Sequence, residues 1–252
     1  MSSSEHAASD SAHHGRHICL PFETESEKEA AVRSFIHEGL AHGKRCLFIG
    51  TRAEYEQLGL HLEEEGICSL RAESRGALVF GTQEDEYLTN GVFDPSATLS
   101  KIDRYIKEAL ADGFTGLCAT GELMNVPSDE LWREIVWYEA QVNESFARLP
   151  FVGLCRYPRT VVPANRVQDV LRTHPIAVVR GETCDNPFYE RPALALSGDS
   201  QARLEWQLRQ LRVQSRAQRR LEDKTTSAVT AAVALATELE TLRSTIRDSD
   251  RT

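Results

Sequence analysis

His17 and Cys19 stand two residues apart in a short apolar run, HICLPF (17–22). In an extended chain such residues face the same side. An imidazole and a thiol on one face, joined by Cys155, Cys184 or His174 from elsewhere, would make a soft site for a divalent metal. The competing reading is a core cysteine beside a strand-end histidine. A second chemistry-bearing group is Glu122, which closes the run FTGLCATGE (114–122). A carboxylate there is a general-base candidate, but no nucleophile or second base stands at a spacing that pairs with it. No GxSxG, HExxH or CxxC pattern occurs in the 252 residues. The expectation is therefore a non-catalytic protein with no cofactor and no bound metal. A metal-assisted enzyme using His17, Cys19 and Glu122 is the alternative.

The turn after the first apolar run carries Glu23, Glu25, Glu27 and Glu29. A phosphate-binding loop at such a junction needs glycines that turn N–H groups inward and a lysine for the terminal phosphates. This turn has no glycine, and its carboxylates would repel a triphosphate. ATP hydrolysis here is not expected. Ser26 with Glu29 fits a helix-capping pair, which accounts for part of the acidity.

The elements that must position these groups alternate from residue 17 to about 182. Short apolar runs at 17–22, 45–50, 77–82, 114–122, 151–157 and 176–181 read as strands. Between each pair of neighbours lies an amphipathic stretch with helical spacing, at 26–42, 52–66, 94–112, 128–149 and 163–175. Asp94-Pro95 starts one of these helices, and Gly43 and Pro175 stop two others. The alternation predicts an α/β fold, a doubly wound and mostly parallel sheet. Ligands of such sheets bind beyond the carboxyl ends of the strands. That criterion singles out Glu23, Thr51, Glu122, Arg156 and Tyr157.

Residues 200–248 contain no glycine or proline. Alternating steps of four and three, counted back from Ile246, pass through Leu242, Leu239, Leu235, Ala232, Ala228, Leu221, Leu211 and Leu204. This heptad seam predicts a long helix that pairs with a second copy or a helical partner, or else folds back on its own domain. Arginines between 203 and 224 read as a solvated face.

Net charge is −9. It argues against a nucleic-acid surface and against anionic membranes. No run reaches the length of a membrane span, and the polar start, MSSSEHAASDSAHHGR, lacks the apolar core of a secretory signal. Residues 1–16 are expected to be a disordered tail, in which His13 and His14 are solvated. Six cysteines without paired spacing, most of them in apolar runs, fit a reducing, cytoplasmic setting.

The stretch HICLPFETESEKEAAVRSFIHEGLAHGKRCLFIG resembles the opening of the MEDS sensory domain, named for methanogens, methylotrophs and the dichloromethane-responsive repressor. That family starts with a His-x-Cys strand, an acidic turn, a helix and a G-x-R-C-L-Y-I strand. Here these are His17-Ile18-Cys19 and Gly43-Lys44-Arg45-Cys46-Leu47-Phe48-Ile49. LCRYPR (154–159), VLRTHPIAVVRG (170–181) and NPFYERP (186–192) match its far end. The resemblance covers about 17–192. It implies a RecA/KaiC-like domain that has lost its nucleotide loop, senses small molecules such as simple hydrocarbon derivatives, and signals to DNA-binding, kinase or other output modules. No helix-turn-helix precedes residue 17 and no kinase motif follows 192, so the output stays open. Arg156, Tyr157 and His174 fall on family motifs, and His17, Cys19, Glu23 and Arg156 are expected to line the pocket. The expected organisation is a 1–16 tail, a 17–192 sensory domain and a 197–248 helix, with a small organic ligand and a homodimer or helical partner. A scaffold whose working part is that helix is the remaining alternative.

Overall fold

A computed structural model describes residues 15–122, 126 and 128–249, with side chains to residue 240. His13 and His14, and the side chains of Leu242 and Ile246, lie outside the described residues. The chain divides into two units, ending and beginning at Gly198 and Asp199.

The first unit is built on a seven-stranded sheet in the order β3-β2-β6-β7-β1-β8-β9. Its strands are β1 (Arg16–Phe22), β2 (Arg45–Ile49), β3 (Leu78–Gly81), β6 (Leu117–Glu122), β7 (Phe151–Pro158), β8 (Ile176–Val179) and β9 (Glu182–Asp185). All pairings are parallel except β8 with β9. The predicted doubly wound, mostly parallel α/β fold is the one observed. The antiparallel edge strand β9 was not foreseen, because ETCD has neither an apolar run nor alternation.

Helices cover both faces. On one face lie α1 (Glu25–Ala41), α2 (Arg52–Glu64) and the short α3 (Ser69–Ser74), packed on Ile18, Leu20, Cys46, Phe48, Val152 and Leu154. On the other lie α5 (Pro95–Ala111), α6 (Asp129–Ser145) and α7 (Ala164–Thr173), packed on Cys19, Leu47, Ile49, Leu117 and Tyr157. Adjacent residues of one strand belong to opposite cores, as the two-residue period of a strand requires. Gly39 lets α1 lie close to the sheet: a Cβ there would meet the Cys46 sulfur at 2.7 Å.

Local chemistry explains the element ends. Helix α1 is capped by Thr24, not Ser26. The Thr24 hydroxyl accepts from the Glu27 N–H, and the Glu27 carboxylate accepts from the Thr24 and Glu23 N–H groups. Two overlapping cap patterns compete in TESEKE, and the helix takes the earlier one. That choice leaves Ser26 inside the first turn. Thr51–Glu54 repeats the reciprocal cap at α2. Asp94 and Pro95 open α5 as expected. Before α5 the chain makes α4 (Gln83–Tyr87) and a two-stranded hairpin, β4 (Leu88–Thr89) with β5 (Val92–Phe93). Asn90 and Gly91 turn it, both with positive φ, 54° and 79°. Asn-Gly suits such a turn. A four-residue helix, α8 (Pro192–Ala195), lies in the same unit.

The second unit is α9 (Ser200–Ser249), about 75 Å long at 1.5 Å per residue. Asp199 starts it by accepting from the N–H groups of Gln201 and Ala202. Along it Leu204, Leu211, Leu221, Leu235 and Leu239 of the seam are exposed. Among the described residues, no helix is long and apolar enough to cross a membrane.

Candidate functional site

Strand alternation divides the eight expected site residues. His17 and Cys19 on β1, and Tyr157 on β7, point to the face covered by α6 and α7, where His174 follows α7. Glu122 on β6 and Arg156 on β7 point to the opposite face, where Arg156 lies over the Phe48 ring at 4.9 Å. Glu23 joins neither group, and Thr51 meets the second only through Glu54. Glu23 is exposed and pairs with Arg159 at 2.8 Å. Thr51 caps α2. Glu122 therefore stands across the sheet from His17 and Cys19.

The group beyond the strand ends is self-contained. Lys28 donates to Glu54 at 2.7 Å and also pairs with Glu25. Arg156 donates to the Ile49 carbonyl and lies 3.9 Å from Glu54. Burial works against the Glu54 carboxylate, but Lys28, the Thr51 N–H and hydroxyl, and Arg156 outweigh it and bring its pKa to about 2. Burial raises Glu122, with Arg156 and Lys28 opposing. The cations at this junction are thus already matched by carboxylates. Three of the acids in the turn also have local work: Glu23 with Arg159, Glu25 with Lys28, and Glu27 in the cap.

The other face gathers a denser cluster around Glu139 of α6. His17 Nε2 lies 3.0 Å from Glu139 Oε2 and 3.3 Å from Cys155 Sγ. His174 Nε2 lies 3.5 Å from the same Oε2, and Cys155 Sγ lies 3.7 Å from it. The Tyr157 hydroxyl donates to the other oxygen, Oε1, at 2.5 Å. The His17 and His174 rings meet at a 36° tilt with centroids 3.9 Å apart. Cys19 sits beside the cluster with its thiol on the Ile176 carbonyl, 3.6 Å away. Cys184 is exposed and takes no part.

Protonation follows from these contacts. Burial alone would raise Glu139. The hydrogen bond from His17, the charges of His174 and His17, and the Tyr157 hydroxyl more than offset it, and the carboxyl lies at about 2. Burial, then the charge of His17, press His174 down to about 3. Burial and the Glu139 charge push the thiols the other way, Cys19 to about 12 and Cys155 well above its ordinary value.

A cavity of about 40 Å³ opens onto this cluster. On a water-sized scale that is room for about three waters, or a molecule of a few heavy atoms. Leu47, Ile49, Leu117, Ala119 and Val142 make its apolar wall, and His17 and Cys155 reach it from the cluster. Two glycines keep it open. Gly153 sits opposite His17 in the β1–β7 register, and a Cβ on Gly121 would fall 1.9 Å from the Tyr87 hydroxyl oxygen. At its edge Glu86 is held by the Tyr105 hydroxyl at 3.0 Å and by Lys101 at 3.8 Å. A second cavity of about 20 Å³, bordered by Glu139 and Tyr157, shares Tyr87, Gly121, Tyr138 and Cys155 with the first.

Sequence reasoning missed Glu139 altogether. A signal was present: Trp132, Ile135, Glu139, Val142 and Phe146 recur at helical spacing, so a carboxylate stands on the apolar stripe of α6. A charge there is stable only with buried partners.

A profile of the MEDS family, described as MEthanogen/methylotroph, DcmR Sensory domain, matches residues 16–175. No curated protein matches significantly. Among solved structures, a KaiC-like protein from the hyperthermophilic archaeon Pyrococcus horikoshii is similar. It has 13% identity and a TM-score of 0.44, over 65% of this chain and 70% of that one. With the His-x-Cys strand, the acidic turn and the far-end motifs in one folded unit, and a family match that spans well over half of its residues, the chain belongs to the MEDS family of sensory domains.

Proposed function

We propose that this chain is a non-catalytic sensor for a small organic molecule, bound in the cavity beside His17 and Cys155, and that it signals through a dimer formed by α9. The cavity carries the ligand part of the reading. It is mostly apolar, of a size for a few heavy atoms, and bordered by convergent polar groups, which is what a small-ligand site needs. Membership of a sensory family agrees with it. The groove beyond the strand ends is the weaker candidate, because its two cations, Lys28 and Arg156, are already taken by carboxylates.

Thermal denaturation with a panel of one- to three-carbon alcohols, amines and halides, and with ATP-Mg²⁺, tests the ligand. A ligand at 100 times its Kd adds about 2.7 kcal/mol to stability. We expect at least one small organic to stabilise the chain, and Ala119→Leu, which fills the cavity, to abolish that shift. Stabilisation by ATP-Mg²⁺ with hydrolysis, or organic binding unaffected by Ala119→Leu, would overturn the reading.

The exposed leucines of α9 support the output. A long helix with an unburied heptad seam is unstable alone and gains stability by pairing. A bound ligand signals by favouring one of two arrangements of the pair. The full chain is expected to sediment as a dimer, and Leu235→Glu with Leu239→Glu to yield monomers. A wild-type chain that is monomeric at micromolar concentration would remove this part.

A further inference from the structure

We propose that His17 Nε2, Glu139 Oε2, Cys155 Sγ and His174 Nε2 form a four-ligand centre for a divalent cation of the zinc class. The centre fastens β1, α6, β7 and the end of α7 to one another. It stands independently of any organic ligand in the adjoining cavity.

Geometry is the first support. The four donor atoms all lie within 4.8 Å of one another. The four separations given above run from 3.0 to 3.7 Å. Bonds of about 2.0–2.3 Å to nitrogen, oxygen and sulfur in a tetrahedron set its edges at roughly 3.3–3.7 Å. Three of the four separations fall in that range, and the fourth, His17 Nε2 to Glu139 Oε2 at 3.0 Å, needs only a small adjustment of side chains to reach it.

The second support is an unresolved electrostatic conflict at His174. Its Nδ1 lies 2.8 Å from the Val170 carbonyl, which can only accept, so Nδ1 carries the ring proton. In the neutral ring the Nε2 lone pair is then bare. It is fully buried, has no hydrogen-bond partner, and faces the anionic oxygen of Glu139. Two electron pairs meet there with no proton between them. A cation between the two atoms removes the conflict. A histidine held by a carbonyl on one nitrogen, with the other nitrogen free, has the arrangement that metal-binding histidines adopt.

Charge balance is the third. Two neutral imidazoles with one carboxylate and one thiolate sum to −2, so a dication leaves the buried site neutral. Mixed imidazole, thiolate and carboxylate donors select zinc-class ions over calcium or magnesium. Binding requires two proton moves: the Cys155 S–H bond breaks as the S–M bond forms and its proton leaves to solvent, and the hydrogen that His17 Nε2 turns toward Glu139 is exchanged for one on Nδ1, which frees the Nε2 lone pair with no further net proton. With four protein ligands no position stays open, so the ion has the closed coordination of a structural site. Cys19 and Glu122, the partners that an enzyme reading gave to His17, are not among its ligands.

The test uses the full chain, stripped with chelator and titrated with Co²⁺. We expect one equivalent to give the near-ultraviolet thiolate-to-cobalt band and the intense visible bands of a four-coordinate site, both removed by one equivalent of Zn²⁺. One proton should be released per ion at neutral pH in weak buffer. Cys155→Ser should lose the thiolate band, whereas Cys184→Ser should keep it. Glu139→Gln should lower Zn²⁺ affinity by more than the roughly 10–100-fold that removing an outer partner costs. His13→Ala with His14→Ala should leave binding unchanged. If Cys155→Ser does not fold, the wild-type band and proton count decide. The absence of a saturable one-equivalent site overturns the proposal. So does a band that survives in Cys155→Ser, or binding lost with His13 and His14.

Discussion

Glu139→Ala is expected to cost the metal-free α/β unit about 3–5 kcal/mol of folding stability, the usual loss when one partner of a buried ionic group is removed. The carboxylate accepts from the Tyr157 hydroxyl at 2.5 Å and from His17 at 3.0 Å, and all three side chains are buried. Without it the hydroxyl and the imidazole keep their desolvation cost and lose their acceptor. The damage reaches three elements, since α6 holds β1 and β7 through these bonds. Glu139→Gln keeps an oxygen for Tyr157 and should lose less. Urea unfolding in the presence of chelator measures the effect as a lower midpoint with an unchanged slope. A loss below about 1 kcal/mol, the net worth of one ordinary hydrogen bond, would contradict this account of the carboxylate.

The second large effect is on pH. Stability should fall steadily as the metal-free chain is acidified below about pH 6.5. His174 titrates at its ordinary 6.5 when unfolded and at about 3 when folded. Between those values the unfolded chain holds one more proton than the folded chain. Stability therefore rises with pH across the window, by about 1.4 kcal/mol per unit, and is fully present above pH 6.5. Glu139 adds a second window. Its carboxyl moves from an ordinary 4.5 to about 2, so its contribution is present above 4.5 and lost as pH falls towards 2. Below pH 4.5 the two slopes add. The groups that set this behaviour face the ring from every side: His17 of β1, Glu139 of α6, Tyr157 and Cys155 of β7, and the Val170 carbonyl of α7. His174→Gln, with its fold checked by circular dichroism, should flatten the profile between pH 6.5 and 4.5 by one proton. An unchanged slope in that variant would mean that His174 does not titrate as described.

Much of this architecture is readable along the chain. Apolar runs bounded by turns place the main parallel strands, and helical spacing places α1, α2, α5, α6 and α7, because both periods are properties of neighbouring residues. The heptad seam likewise marks the extent of α9. His17 and Cys19 share a face because a strand repeats every two residues. Elements too short for a period to develop escaped: α3, α4 and β9, and the hairpin, where only the Asn-Gly turn spoke.

The assembly of the site needed the folded chain. Alternation says that Arg156 and Tyr157 diverge, but not which of them meets Glu122 and which meets His17. That was settled when β1 took its place between β7 and β8, setting His17 opposite Gly153 and Cys19 opposite Cys155. Glu139 and His174 lie far from His17 in sequence and meet it only because α6 and α7 pack across that face. A carboxylate on an apolar helical stripe announces that it must have buried partners. Their identity depends on strand order and helix placement, which arise from long-range pairing and carry no local pattern.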